Sequence, residues 1–152
     1  MVNKLKVLFL CTGNSCRSQM AEGWANHLKG TVIEAYSAGI ETHGLDQRAV
    51  TVMAEAGVDI SGHRSKHVDE FTHSQVDYVI TVCGHAHETC PFFPGNGKVF
   101  HVGFADPPHM ARALAKQGAT EEEQLDCYRR IRDEIKAFVE GFPGTLNPAT
   151  KA

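Results

Sequence analysis

Apolar and polar positions change period along this chain in a way that predicts strands and helices by turns. Lys4 to Leu10 is a short, β-branched and apolar run with the character of a fully buried strand. After residues 11–18 a helical period begins, with Met20, Ala21, Trp24, Ala25 and Leu28 on one face and an end at Lys29–Gly30. Thr31 to Tyr36 predicts a second strand, closed by Ser37, Ala38 and Gly39. Gln47 to Ala56 predicts a helix with Val50, Met53 and Ala54 turned inward, stopped by Gly57. Val76 to Val82 and Lys98 to Phe104 predict the third and fourth strands. The last helix is the clearest. Thr120 and Glu123 form a capping box, and Leu125, Tyr128, Ile131, Ile135, Phe138 and Val139 make one stripe that Gly141 and Pro143 end. Glu121 to Glu123 sit in its first turn, where the helix dipole favours acids.

Strands alternating with helices imply right-handed crossovers. The expected fold is therefore α/β: one domain over residues 1–141, with a mostly parallel four-stranded sheet covered by helices on both faces. Residues 142–152 carry two prolines and small polar residues, and are expected to be a loose tail. At 152 residues, a single core is large enough to fold without metals or disulfides.

Charge narrows the functional classes. The net charge of −3 lacks the basic surplus of a general nucleic-acid binder. An anionic substrate would have to be attracted locally. No apolar run approaches the roughly 20 residues of a membrane span, and Val7 to Leu10 is too short for a signal-peptide core. A cytoplasmic protein is expected. Five cysteines, an odd number and widely spread, make a poor disulfide framework and point to thiol chemistry or buried thiols.

The segment between the first strand and the first helix carries the strongest chemistry. Cys11 and Arg17 enclose Thr12, Gly13, Asn14, Ser15 and Cys16. Backbone amides of such a loop form an anion-binding nest, and the helix N-terminus adds positive potential. Gly13 and Asn14 tolerate the positive φ that a tight cradle needs. Arg17 can fork onto two oxygens of a tetrahedral anion. At the base of this field Cys11 is favoured as a thiolate nucleophile. Ser18 can donate to its sulfur or cap the helix. The bland alternative is a buried cysteine beside a helix cap, or an anion-binding module without catalysis. Cys16 is expected to face away from the anion into packing.

Two further thiols follow the third strand. Cys83 ends it, and Cys90 comes seven residues later in VCGHAHETCP. Parallel strand ends converge on one ligand site, which would bring Cys83 near Cys11. Thiol–disulfide exchange through Cys83 and Cys90 competes with zinc binding by Cys83, His85, His87 and Cys90, and with inert cysteines. The spacing is not that of a common zinc ribbon, so exchange is favoured and no metal is expected. Asp106, before Pro107 and Pro108, is read as an acid assisting the nucleophile, against the alternative of a helix cap. Cys127 is expected to be a bystander.

These motifs, LCTGNSCRSQMAEGW, YSAGIETHG, AGVDIS, VCGHAHETCP, GFADPP and the TEEE helix start, together resemble the thioredoxin-coupled arsenate reductases built on the low-molecular-weight protein tyrosine phosphatase fold. The resemblance runs from about Lys4 to Glu140. It implies that Cys11 attacks arsenate held by the loop and Arg17, with Ser18 supporting the thiolate and Asp106 assisting. It implies that Cys83 attacks next, releasing arsenite, that Cys90 then attacks Cys83, and that thioredoxin reduces the resulting Cys83–Cys90 disulfide. No bound cofactor is implied, and a monomer is expected. A phosphatase acting on phosphotyrosine or a small phosphate ester is the alternative, since the loop alone cannot separate arsenate from phosphate.

One position departs from the pattern. Some members bind potassium beside the loop through an Asn, a Glu, a Ser and an Asp. Asn14, Glu22 and Ser37 match the first three, and ungapped counting puts Lys66 at the fourth. An ammonium has three donors and no acceptor, so it cannot ligate potassium. Lys66 is expected to occupy the site itself and meet Glu22, unless a slip of register brings Ser65 or Asp69 there.

Overall fold

The computed structural model describes residues 4–88, 90 and 97–144. Four strands form one all-parallel sheet: β1 (Leu5–Cys11), β2 (Ile33–Gly39), β3 (Tyr78–Thr81) and β4 (Lys98–His101), in the order β2-β1-β3-β4. The helices between and after them are α1 (Arg17–Lys29), α2 (Gln47–Glu55), α3 (Gly84–Glu88), α4 (Pro107–Ala115) and α5 (Glu121–Gly141), with a 3-10 turn at Val68–Glu70. This is the predicted α/β architecture.

The central strand explains why it holds. Successive residues of a strand point to opposite faces of the sheet. Val7, Leu8, Phe9 and Leu10 are each 0–2% exposed, so both faces at β1 are covered. The α5 stripe is buried as its period requires, and α5 packs on α1, α2 and α4. Both halves of the Thr120–Glu123 capping box are made.

Several boundaries differ from the sequence expectation. β2 extends to Gly39 rather than ending at Tyr36, because its last residues pair with Phe9, Leu10 and Cys11. β4 stops at His101, not Phe104, and β3 is shorter at both ends. The inward face of α2 is Ala49, Val52 and Met53; Ala54 is exposed and Val50 only half-buried. Asp46 accounts for the rotation, capping the helix through the Arg48 and Ala49 amides while its other carboxylate oxygen accepts from the buried Tyr128 hydroxyl. The expected loose tail also needs correction at its start. Phe142 is buried against Phe138 and Tyr78, so the core reaches past residue 141; residues 145–152 lie outside the described residues. Among the described residues no helix is long and apolar enough to cross a membrane.

The register places the site. Cys11 pairs with Gly39, Leu10 with Thr81, and Thr81 with His101, so the carboxyl ends of all four strands lie along one edge. Loops leaving that edge meet there.

Candidate active site

The loop from Cys11 to Arg17 is held by its carbonyls. The amides of Ile40, Glu41, His43 and Asp46 donate to the carbonyls of Cys11, Thr12, Gly13 and Ser15 at 2.8–3.1 Å, and the Ser65 hydroxyl adds a second donor to Gly13. In a trans peptide the C=O and the next N–H point opposite ways. With these carbonyls turned outward, the amides of Thr12, Gly13, Asn14 and Cys16 are turned toward the cavity, which makes the nest expected for an oxyanion. Asn14 has φ of 49°, the left-handed region asparagine tolerates. At two glycines of this region a side chain would force a neighbour to move. A Cβ on Gly39 would strike the backbone of Thr12, Asn14 and Glu41, and one on Gly13 would strike the His43 ring.

Beneath the loop, hydrogen-bond direction orients the side chains around Cys11. The Lys66 backbone N–H donates to Asn14 Oδ1 at 2.8 Å, and a backbone amide can only donate. Asn14 therefore presents Nδ2 to Ser18 Oγ, 2.7 Å away. Ser18 Oγ, accepting there, lies 2.8 Å from the Cys11 sulfur, and its one hydrogen is free to be given to a thiolate at that position. Of the two roles open to Ser18, the structure makes it the partner of Cys11, and α1 has no side-chain cap. Asn14, Ser18 and Gln19 are all fully buried. Gln19 supports the arrangement, donating to both Asn14 oxygens and to the Arg64 carbonyl while accepting from His63 Nδ1. Sequence reasoning overlooked Gln19 and His63. A polar residue at Gln19, immediately before the apolar Met20–Ala21, was the available signal.

Arg17 donates from Nη1 to the Phe104 carbonyl at 2.9 Å, and its Nη2 lies 3.6 Å from Asp106 Oδ1. Asp106 occupies the N-cap position of α4 but makes no side-chain cap bond. Its carboxylate faces Arg17 and the cavity, which favours the acid role over the cap. The cavity has a volume of ≈ 460 Å³ and is lined by Cys11, Arg17 and Asp106, with His43 and Arg112 also on its wall. The last two carried no sequence signal.

Cys83 is brought to the same place. Its sulfur lies 3.2 Å from Thr12 Oγ1, on the residue next to Cys11, and the Ala86 amide of α3 approaches it at 3.5 Å. Cys90 is half-buried at the other end of α3, and burial pushes its thiol above the usual range. Burial, reinforced by Asp46 and Cys11, pushes Cys16 well above that range. Cys16 is packed in the core, but it also lines the cavity and so does not face wholly away from the anion site as expected. Among the described residues no three His, Cys, Asp or Glu side chains converge as ligands, and His87 Nδ1 is engaged by Thr81. Cys127 stands apart on α5, half-buried.

The ammonium of Lys66 is where ungapped counting placed it. Nζ lies 3.7 Å from Glu22 Oε1 and donates to the Arg64 carbonyl at 2.9 Å. Ser37 donates to the same Glu22 oxygen at 2.6 Å, and His63 Nε2 lies 3.6 Å from the other. Burial pulls the Lys66 ammonium below the usual lysine range, while Glu22 acts in the opposite sense. Ser65 and Asp69 are engaged elsewhere, with Gly13 and His67.

Residues 6–151 match the model of the low molecular weight phosphotyrosine protein phosphatase family. The chain belongs to that family. Within it, the chain is similar to proteins named arsenate reductase. The one from Halalkalibacterium halodurans is 46% identical over 144 residues, covering 95% of this chain and 99% of the relative. That of Bacillus subtilis is 46% identical over 145 residues, again covering 95% and 99%. A solved structure of an arsenate reductase in the phosphate binding state superposes with a TM-score of 0.69 at 30% identity, covering 94% of this chain and 99% of that one. The family assignment accounts for the anion cradle. It does not by itself account for the thiol at Cys83.

Proposed function

We propose that this protein reduces arsenate to arsenite, with Cys11 as nucleophile, Cys83 and Cys90 as an internal thiol relay, and thioredoxin as external reductant. The observation that carries this reading is the second thiol at the cradle: Cys83 Sγ sits 3.2 Å from Thr12 Oγ1, beside the nucleophile. Similarity to proteins named arsenate reductase over nearly the full chain supports the same substrate.

The positions support the following chemistry. Arsenate sits on the loop amides, with Arg17 forking onto its oxygens. The Cys11 thiolate, steadied by the Ser18 hydroxyl, attacks arsenic, and Asp106 assists departure of an oxygen as water. The product is a sulfur–arsenic(V) bond. The Cys83 thiolate then attacks the Cys11 sulfur. A Cys11–Cys83 bond forms, the sulfur–arsenic bond breaks, and its electron pair stays on arsenic, which leaves as arsenite. Two thiols have been oxidised and arsenic has gained two electrons. Cys90 next attacks Cys83 and frees Cys11. A dithiol of the thioredoxin class returns the Cys83–Cys90 disulfide to two thiols.

The test is arsenite production with a thioredoxin system, compared with hydrolysis of an aryl phosphate. Cys83→Ser should stop turnover after one arsenate has reacted at Cys11. Cys90→Ser should stall one step later, with Cys11 joined to Cys83 in acid-quenched peptide maps. Sustained thioredoxin-dependent turnover in either variant would sink the relay. Weak phosphatase activity should accompany the reductase, because the first step needs only Cys11, Arg17 and Asp106. Cys11→Ser should abolish that activity and Cys83→Ala should leave it largely intact. An aryl phosphate turned over far faster than arsenate would favour the phosphatase reading.

A further inference from the structure

The Thr81 hydroxyl on β3 is fully buried and has three polar neighbours. His87 Nδ1 from α3 and His101 Nδ1 from β4 each lie 3.0 Å from it, and the Phe100 carbonyl lies at 3.3 Å. The two rings pack with centroids 4.9 Å apart. His87 belongs to the five-residue helix between Cys83 and Cys90, and it ties that helix to the sheet.

We propose that His87 is a positioning residue, a releasable latch that docks α3 on the Thr81 hydroxyl until Cys90 is required. This deepens the relay proposed above and rests on it. Cys90 sits at the far end of α3 from Cys83, so exchange between them requires α3 to leave its place. Undocking a helix from a buried hydroxyl ordinarily leaves the hydroxyl unsatisfied, which is costly. Here it does not. A threonine hydroxyl has one hydrogen to give and two lone pairs to accept with. Without His87 it still donates to the Phe100 carbonyl and, with the His101 hydrogen on Nδ1, accepts from that ring, so both of its functions keep a partner. His87 therefore adds one hydrogen bond to the docked state and leaves no orphan in the undocked one. Its own ring, half-buried when docked, can turn to water. A five-residue helix that opens with Gly84 contributes little stability of its own, so its docking rests on a few tertiary contacts, the buried Ala86 and the His87 bond among them.

The experiment compares the unsubstituted protein with His87→Ala, His87→Asn, Thr81→Val and the double variant His87→Ala/Thr81→Val. Asparagine places an amide oxygen or nitrogen near the position of Nδ1. Amide exchange of residues 84–88, read by mass spectrometry on the reduced protein without arsenate, reports docking directly. A neutral hydrogen bond predicts exchange faster by about 2- to 10-fold in His87→Ala. The same factor is expected in the rate of Cys83–Cys90 disulfide formation after one arsenate, with the KM for arsenate unchanged. Asn should restore both. Thr81→Val removes the same bond together with those to His101 and the Phe100 carbonyl, so it should speed exchange at least as much as His87→Ala, and the double variant should add nothing to Thr81→Val. Unchanged exchange in His87→Ala, additive effects in the double variant, or faster exchange with no gain in the disulfide step would each overturn the latch. Failure of the relay is distinguishable, because it shows in the unsubstituted protein as no Cys83–Cys90 disulfide after arsenate.

Discussion

Replacing Lys66 by methionine removes a cation from beneath the Cys11–Arg17 loop while keeping the length of the side chain. The Lys66 and Glu22 side chains are 12% and 13% exposed, and their charges lie 3.7 Å apart. At an effective dielectric of about 20 the gross attraction is about 4 kcal/mol. Desolvation of both groups offsets much of it. Removing one partner of a buried pair costs about 3–5 kcal/mol, because the other charge is stranded. Glu22 is not fully stranded, since Ser37 still donates to it and His63 stands on its other oxygen. The expected loss for Lys66→Met is therefore about 2 kcal/mol, which for a domain of this size lowers Tm by about 4–8 °C. Lys66→Asp sets two carboxylates against each other, loses more stability in sodium, and creates a site that potassium can fill. Potassium at 100 times its Kd would return about 2.7 kcal/mol. The assay is urea unfolding and arsenate kinetics in potassium and sodium chloride at matched ionic strength, which holds screening constant. A loss below about 0.5 kcal/mol in Lys66→Met, set against the buried-pair figure, would refute the reasoning. So would a potassium-specific gain in the unsubstituted protein.

Two further outcomes follow from the thiols. Ser18→Ala deletes the hydroxyl aimed at the Cys11 sulfur. A hydrogen bond to a charged group predicts iodoacetamide alkylation of Cys11 slower by about 10- to 100-fold at neutral pH, measured by peptide mass spectrometry; a change under twofold would contradict the hydrogen assignment. Cys16 is held protonated by burial, so its folded pKa lies above the unfolded one. The unfolded chain then loses its proton first as pH rises. Stability from this thiol is complete below the ordinary thiol pKa of 9.0 and falls as pH climbs past it. Cys16→Ala should flatten urea stability between pH 8.5 and 10, and an equal slope in both proteins would count against it.

Local pattern was enough for the order of strands and helices, the α5 stripe with its Thr120–Glu123 cap, and the loop from Cys11 to Arg17. Each rests on residues a few positions apart: a hydrophobic period, a capping pair, or glycine and asparagine where the backbone must turn. Resemblance and ungapped counting, not local pattern, pointed to Lys66 as the departure from a potassium-ligand position, and the structure sets its ammonium beside Glu22. What local pattern left open depended on partners far away in sequence. Ser18 had two possible roles until Lys66, 48 residues on, oriented Asn14 through a backbone amide. Asp106 stands at a helix N-cap, and only the tertiary structure turns its carboxylate toward Arg17, 89 residues away in sequence. The inward face of α2 turned on the bond from Tyr128 to Asp46, and the tail expected from composition began too early because Phe142 finds Phe138 and Tyr78. Thr81, His87 and His101 carry no joint signature, being one hydroxyl and two histidines from three elements. Periodicity records which side of an element is apolar. It does not record which hydrogen a buried hydroxyl gives away, because that choice belongs to the neighbours that packing supplies.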